Sequence, residues 1–199
     1  MQKEPDQKLL DSIHEHVQAA VEAAFESDVD ILERTAEAFC DVGLEEDVIR
    51  QHATRSLTKA VEQHLESQKN WPAKTDCDRL DQAFETLESR GIVCRQNYSC
   101  CGNCGRVEIG QEITDMRATG REVRGYCFYH QQDTESAVRG GGTCLGYGSV
   151  VRGEKASIDI GNEIVKALQD AGLKTDWDGS LAKRILVKLD WKRRRIRQG

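Results

Sequence analysis

Gly91-Ile92-Val93-Cys94 opens a stretch that runs through Ser99-Cys100-Cys101-Gly102-Asn103-Cys104-Gly105. It closes with Gly125-Tyr126-Cys127-Phe128-Tyr129-His130-Gln131-Gln132-Asp133-Thr134-Glu135. Ile92 to Tyr98 follows a glycine and is rich in β-formers, which predicts a strand. Val107, Ile109, Ile113 and Met116 recur at helical spacing, which predicts a short helix over 103–116. The polar residues 120–125 read as a turn, Tyr126 to His130 as a buried strand, and Asp133 to Arg139 as a short helix. Strands alternating with helices imply an α/β fold, with helices packed on a largely parallel or mixed sheet.

The rest of the chain extends this pattern in both directions. On the N-terminal side, Leu10, Ile13, Val17, Val21 and Phe25 are three and four residues apart, predicting an amphipathic helix over 7–26. A second is expected from Asp28, with Ile31, Leu32, Ala36 and Phe39 on one face and Gly43 as its stop. Glu45-Glu46-Asp47 puts negative charge in the first turn of a third, whose apolar stripe is Ile49, Ala53, Leu57, Ala60, Val61 and Leu65, and which Trp71-Pro72 stops. The histidines on these helices have no cysteine or carboxylate at ligand spacing and read as surface or edge-of-core residues. Thr75-Asp76-Cys77-Asp78 has the form of a capped helix start, with Leu80, Ala83, Phe84 and Leu87 following at helical period. On the C-terminal side, Gly140-Gly141-Gly142 breaks the chain before a strand at 143–151. A helix over 157–171 and strands at 174–178 and 184–189 come next.

The resulting division is an N-terminal helical region (1–72), an α/β domain (73–191) with about five strands, and a basic tail (192–199) expected to be frayed. Charge follows the same division. Residues 1–90 carry 10 Lys and Arg against 21 Asp and Glu, and residues 91–199 carry 18 against 13, giving −6 overall. An acidic half joined to a basic half suits mutual attraction or a protein partner. The acidic total and the lack of an aromatic–basic module argue against nucleic acid. No window approaches the roughly 20 apolar residues of a membrane span, and the first residues lack the apolar core of a secretory signal. A cytoplasmic protein is expected, and in a reducing compartment its eight cysteines are buried hydrophobes, metal ligands or redox groups rather than structural disulfides.

From about residue 71 to 195 the chain resembles a family of uncharacterised bacterial proteins, largely actinobacterial. The motifs that carry the likeness are Thr75-Asp76-Cys77-Asp78-Arg79-Leu80, Cys100-Cys101-Gly102-Asn103-Cys104-Gly105, the run Tyr126 to Glu135, Trp177-Asp178-Gly179 and Asp190-Trp191. The family's function is unknown, so the resemblance implies no activity.

Two candidate sites emerge from the central stretch. Cys101-Gly102-Asn103-Cys104-Gly105 has the form of a zinc knuckle, because two thiolates two residues apart can turn toward one ion. Cys127 and His130 are its best completion, with 22 residues intervening. Residues three apart on a regular strand point to opposite faces, so that pair needs a bulge or an early strand end. Cys100, Cys94 and Cys144 are alternative ligands. The same Cys101–Cys104 pair at a helix start would also serve thiol redox chemistry, with Cys100 resolving a mixed disulfide. The second site is His130 as general base or donor with Asp133 and Glu135 orienting it, at a strand end where α/β folds bind ligands, in a cleft beside the triple glycine. Against it, no nucleophile stands at a diagnostic spacing, and helix capping accounts for the acids. The leading expectation is a non-enzymatic binding module with zinc at the thiol turn. An enzyme or small-ligand binder is the alternative.

Overall fold

The computed structural model describes residues 6–195, with two compact units. The first takes in the described residues up to Pro72 together with 192–195. It contains α1 (Gln7–Ala23), α2 (Asp28–Ala38) and α3 (Glu46–Gln68). Their apolar stripes close on one another around Ile13, Val17, Val21, Ile31, Ile49, Ala53 and Leu57. Burying one such Ile or Leu side chain is worth about 1.5–3 kcal/mol. Ser27 and Asp30 form a reciprocal capping box that starts α2. All three helices end earlier than expected. α1 stops where Ala24 turns left-handed (φ 58°), and α2 stops well before Gly43. α3 unwinds after Gln68, so that Trp71 folds back edge-on against the His64 ring, 5.2 Å between centroids.

Residues 192–195, expected to begin a frayed end, are instead tied to these helices. The Arg193 carbonyl lies 3.0 Å from His64 Nε2, and its guanidinium stacks 4.5 Å over the Phe25 ring. Arg195 donates its backbone N–H to Gln68 and pairs with Asp28. Residues 196–199 of the expected tail lie outside the described residues.

The second unit, Ala73–Trp191, is the α/β domain. Its elements are α4 (Asp76–Glu88), β1 (Ile92–Arg95), α5 (Gly102–Ala118), β2 (Gly125–Phe128) and α6 (Gln131–Val138), then β3 (Thr143–Ser149), α7 (Glu154–Asp170), β4 (Lys174–Asp176) and β5 (Ile185–Lys188). The sheet order is β1-β2-β3-β5-β4. β1 and β2 are parallel and the other three pairings antiparallel, so the sheet is mixed, as expected. α4 and α7 pack on the strands through Leu80, Phe84, Leu87, Ile160, Ile164 and Leu168. α5 packs through Ile109 and Ile113 onto Val93, Val123 and Phe128.

One glycine fixes how closely α5 approaches. A Cβ built on Gly105 would stand 2.5 Å from the Phe128 ring, so only glycine lets this helix press its first turn against the end of β2. Because β1 and β2 are parallel, their carboxyl ends leave the sheet at the same edge. The loop after Arg95 and the loop after Phe128 therefore emerge side by side.

Candidate metal centre

β1 stops three residues short of its expected end because Asn97 and Ser99 take positive φ (49° and 62°), a left-handed conformation that most side chains avoid. The two kinks reverse the chain and deliver Cys100 and Cys101 to the head of α5. The loop is held in this shape by β2's continuation. Tyr98 donates to the Tyr129 carbonyl (2.8 Å), Gln131 to the Ser99 carbonyl (3.2 Å), and the Thr134 hydroxyl to the Asn97 side chain (2.8 Å).

Cys101 is the N-cap of α5, and the helix's first turn carries Cys104 back toward it. The sulfurs of Cys100, Cys101 and Cys104 all lie within 4.8 Å of one another, and among the described residues no other three such donors are grouped in this way. Cys100 and Cys104 are exposed and Cys101 is half-buried. Their proton affinities are unequal. The N–H groups of Cys104 and Asn103, with the neighbouring thiols, stabilise a Cys101 thiolate and bring its pKa below the ordinary thiol range. Cys104 is pushed up to about 11, because its proton is shared with Cys100 and Cys101. A cation that displaces the thiol protons relieves the crowding of the three sulfurs. The cluster can hold a metal ion.

The other expected ligands take different places. Cys127 is fully buried in β2, directly opposite Cys94 of β1. Burial, and then the neighbouring Cys127 thiol, raise the Cys94 pKa well above the ordinary range, so this pair behaves as packed hydrophobe. β2 ends at Phe128, which frees His130 from the strand's alternation but makes it the N-cap of α6. A Cβ on Gly102 would sit 3.5 Å from His130 Nε2, so the thiol turn and the end of the aromatic strand do meet. His130 nevertheless stands outside the sulfur group, and its Nε2 is engaged elsewhere, 3.1 Å from Asp133 Oδ2.

That engagement builds a second, closed cluster. Asp133 Oδ2 also accepts the His130 backbone N–H (3.1 Å), and Arg184 grips both carboxylate oxygens at 3.1 and 2.5 Å. Arg184 bonds the Cys144 carbonyl as well. His130 is 6% exposed, and burial depresses its pKa more than the Asp133 carboxylate restores it, which keeps the imidazole neutral. Its Nε2 also lies 3.5 Å from the Arg184 guanidinium, while the buried Nδ1 has no protein partner among the described residues. Glu135 is exposed on α6 and, two residues from Asp133, faces another way round the helix. His130 and Asp133 therefore meet, and Glu135 does not join them. The triple glycine lines a cavity of about 590 Å³ with Asp76, Lys174, Lys188 and Asp190, to which the three do not contribute. Arg184 was not legible in the sequence, since 51 residues separate it from Asp133 and no spacing joins them. Cys100 could be found from its place beside Cys101.

Among the described residues no helix is long and apolar enough to cross a membrane. No curated protein and no solved structure matches the chain. The family model of a domain of unknown function, DUF6891, matches residues 6–195. The chain belongs to that family, in agreement with the likeness carried by its motifs.

Proposed function

We propose that this chain is a non-enzymatic binding module whose Cys100–Cys101–Cys104 turn holds a thiophilic metal ion, zinc. The observation that carries this reading is the mutual approach of the three sulfurs within 4.8 Å at the head of α5. Thiolates favour zinc over the hard cations that oxygen ligands select. The helix's first N–H groups offset part of the negative charge that three thiolates would bring together. Three protein ligands leave the fourth tetrahedral position for water or an outside donor.

A binding role is further supported by the state of His130 and Asp133. Both are buried, and Arg184 holds both oxygens of the carboxylate in a fixed ion pair. The partner is read as a protein, because the net charge of −6 works against the phosphate contacts that dominate nucleic-acid affinity. A cytoplasmic setting suits exposed thiols, which a reducing compartment keeps available.

The test is metal stoichiometry. The reduced full chain, stripped of metal and titrated with zinc, should take up one ion. The Cys100→Ser/Cys101→Ser/Cys104→Ser variant should take up none, and His130→Ala should bind as the unaltered chain does. Equal zinc uptake by the triple variant would overturn the reading.

A further inference from the structure

We propose that Cys101 and Cys104 form a reversible disulfide by exchange with a low-molecular-weight disulfide, and that closing this bond discharges the ion held by the three sulfurs. The discharge step rests on the zinc reading, and the disulfide step does not.

Three features of the turn carry this. The first is distance. The sulfurs are already within 4.8 Å, and both cysteines belong to one helical turn, so a disulfide needs side-chain rotation and a small backbone adjustment. The second is access. Cys100 and Cys104 are exposed and Cys101 half-buried, whereas Cys94, Cys127 and Cys77 are closed to any reagent. The third is the source of the ligands. All three come from five consecutive residues, so oxidising two of them leaves the ion on Cys100 alone, with no distant ligand to retain it.

The exchange balances as follows. The Cys101 thiolate, at the head of the helix, attacks one sulfur of RS–SR. The S–S bond breaks, a Cys101–SR bond forms, and one RS⁻ leaves. The Cys104 thiolate then attacks Cys101 Sγ, forming the Cys101–Cys104 bond and expelling the second RS⁻. Two protein thiolates lose two electrons, one external disulfide gains them, and the zinc ion departs with its charge unchanged.

The experiment exposes the zinc-loaded full chain to oxidised glutathione and follows two signals, intact mass with peptide mapping and free zinc with a chromogenic chelator. The expected result is a loss of two hydrogens within the peptide that holds residues 100–104, with one zinc released per bond formed. Dithiothreitol should reverse it. Cys100→Ser should still form the bond, and Cys104→Ser should stop at a glutathione adduct on Cys101. Cys94 and Cys127 should stay reduced until the chain is unfolded. A zinc-loaded turn whose thiols remain reduced in excess oxidised glutathione would overturn this proposal and leave the metal reading standing. A bond that forms in a chain that never takes up zinc would overturn the metal reading, and the discharge step with it. An equal two-hydrogen loss from the same peptide in Cys101→Ser would show Cys100 and Cys104 pairing without it and would overturn the assignment of Cys101–Cys104 as the bond.

Discussion

Gly105 and Gly110 lie five residues apart in α5, and the same substitution should move stability in opposite directions at the two. Alanine is worth about 1 kcal/mol more than glycine in a helix interior, through backbone entropy alone. At Gly110 a Cβ meets nothing within 4 Å, so Gly110→Ala should stabilise the α/β unit by about 0.5–1 kcal/mol. At Gly105 the added Cβ would come within 2.5, 3.1 and 3.2 Å of three atoms of the Phe128 ring, which is 1% exposed and packed by Tyr98 and Tyr126. Overpacking a core of this kind costs about 1–3 kcal/mol. After the helix-propensity gain, Gly105→Ala should lose up to about 2 kcal/mol. Because the chain has two units, one global melting curve would mix their transitions. Native-state hydrogen exchange of the β1 and β2 amides reads the α/β unit directly, and each 1.4 kcal/mol appears there as a tenfold change in rate. Exchange should slow in Gly110→Ala and quicken about tenfold in Gly105→Ala. Shifts of the same sign at both positions would refute the claim that Gly105 sets the approach of α5.

Other substitutions probe the remaining parts of the molecule. Arg184→Met leaves the buried Asp133 carboxylate with only His130 and should cost about 1–3 kcal/mol by hydrogen exchange, part of which Asp133→Asn in the same chain should restore. Thr75→Ala removes one half of the capping box with Asp78 and should cost about 1 kcal/mol, read as faster exchange in the first turns of α4. His64 has its pKa lowered from the ordinary 6.5, chiefly by burial, which outweighs the opposing hydrogen bond to the Arg193 carbonyl. The unfolded chain therefore takes up this proton more readily than the folded one, so the stability is present above pH 6.5 and is lost as pH falls toward the depressed folded value. Urea midpoints of the helical unit should drop over that range, and His64→Gln should flatten the drop.

The sequence made the order of elements and the mixed sheet legible, because apolar spacing reports which face of each segment is buried, and burial is what assembles the layers. It located Cys101 and Cys104 for a similar reason, since a thiol pair at a helix start is local information. Where the reading departed from the structure, a long-range partner or an unusual backbone angle decided the outcome. Cys127 was matched to Cys104 by spacing, but strand register sets it against Cys94. His130 was assigned a catalytic or ligating role because of its polarity after an aromatic strand. It does meet Asp133, the acid read as orienting it, but that carboxylate is clamped by Arg184, from the segment just before β5, which no spacing announces. The tail read as frayed from its charge alone, yet Arg193 and Arg195 find Phe25, in the turn after α1, and Asp28, at the head of α2, more than 160 residues away. Positive φ at Asn97 and Ser99 belongs to the same class, because it is sustained by the bonds from the Tyr98 N–H to the Tyr129 carbonyl and from the Gln131 N–H to the Ser99 carbonyl.

The local origin of the thiol ligands also fixes what an ion at this turn can do for the fold. A structural zinc stabilises a domain when it closes a loop between segments that the unfolded chain keeps apart, and its binding energy then becomes folding energy. Cys100, Cys101 and Cys104 are neighbours in any state of the chain, so an unfolded chain retains much of the same affinity and the linkage gain is correspondingly small. Meanwhile α5 is anchored without the ion, through Ile109, Ile113 and the contact of Gly105 with Phe128. Zinc at this position would order one helical turn and its exposed sulfurs while leaving the domain's stability nearly unchanged. That independence is what lets the turn gain or lose its ion, or close a disulfide, without unfolding the sheet beneath it.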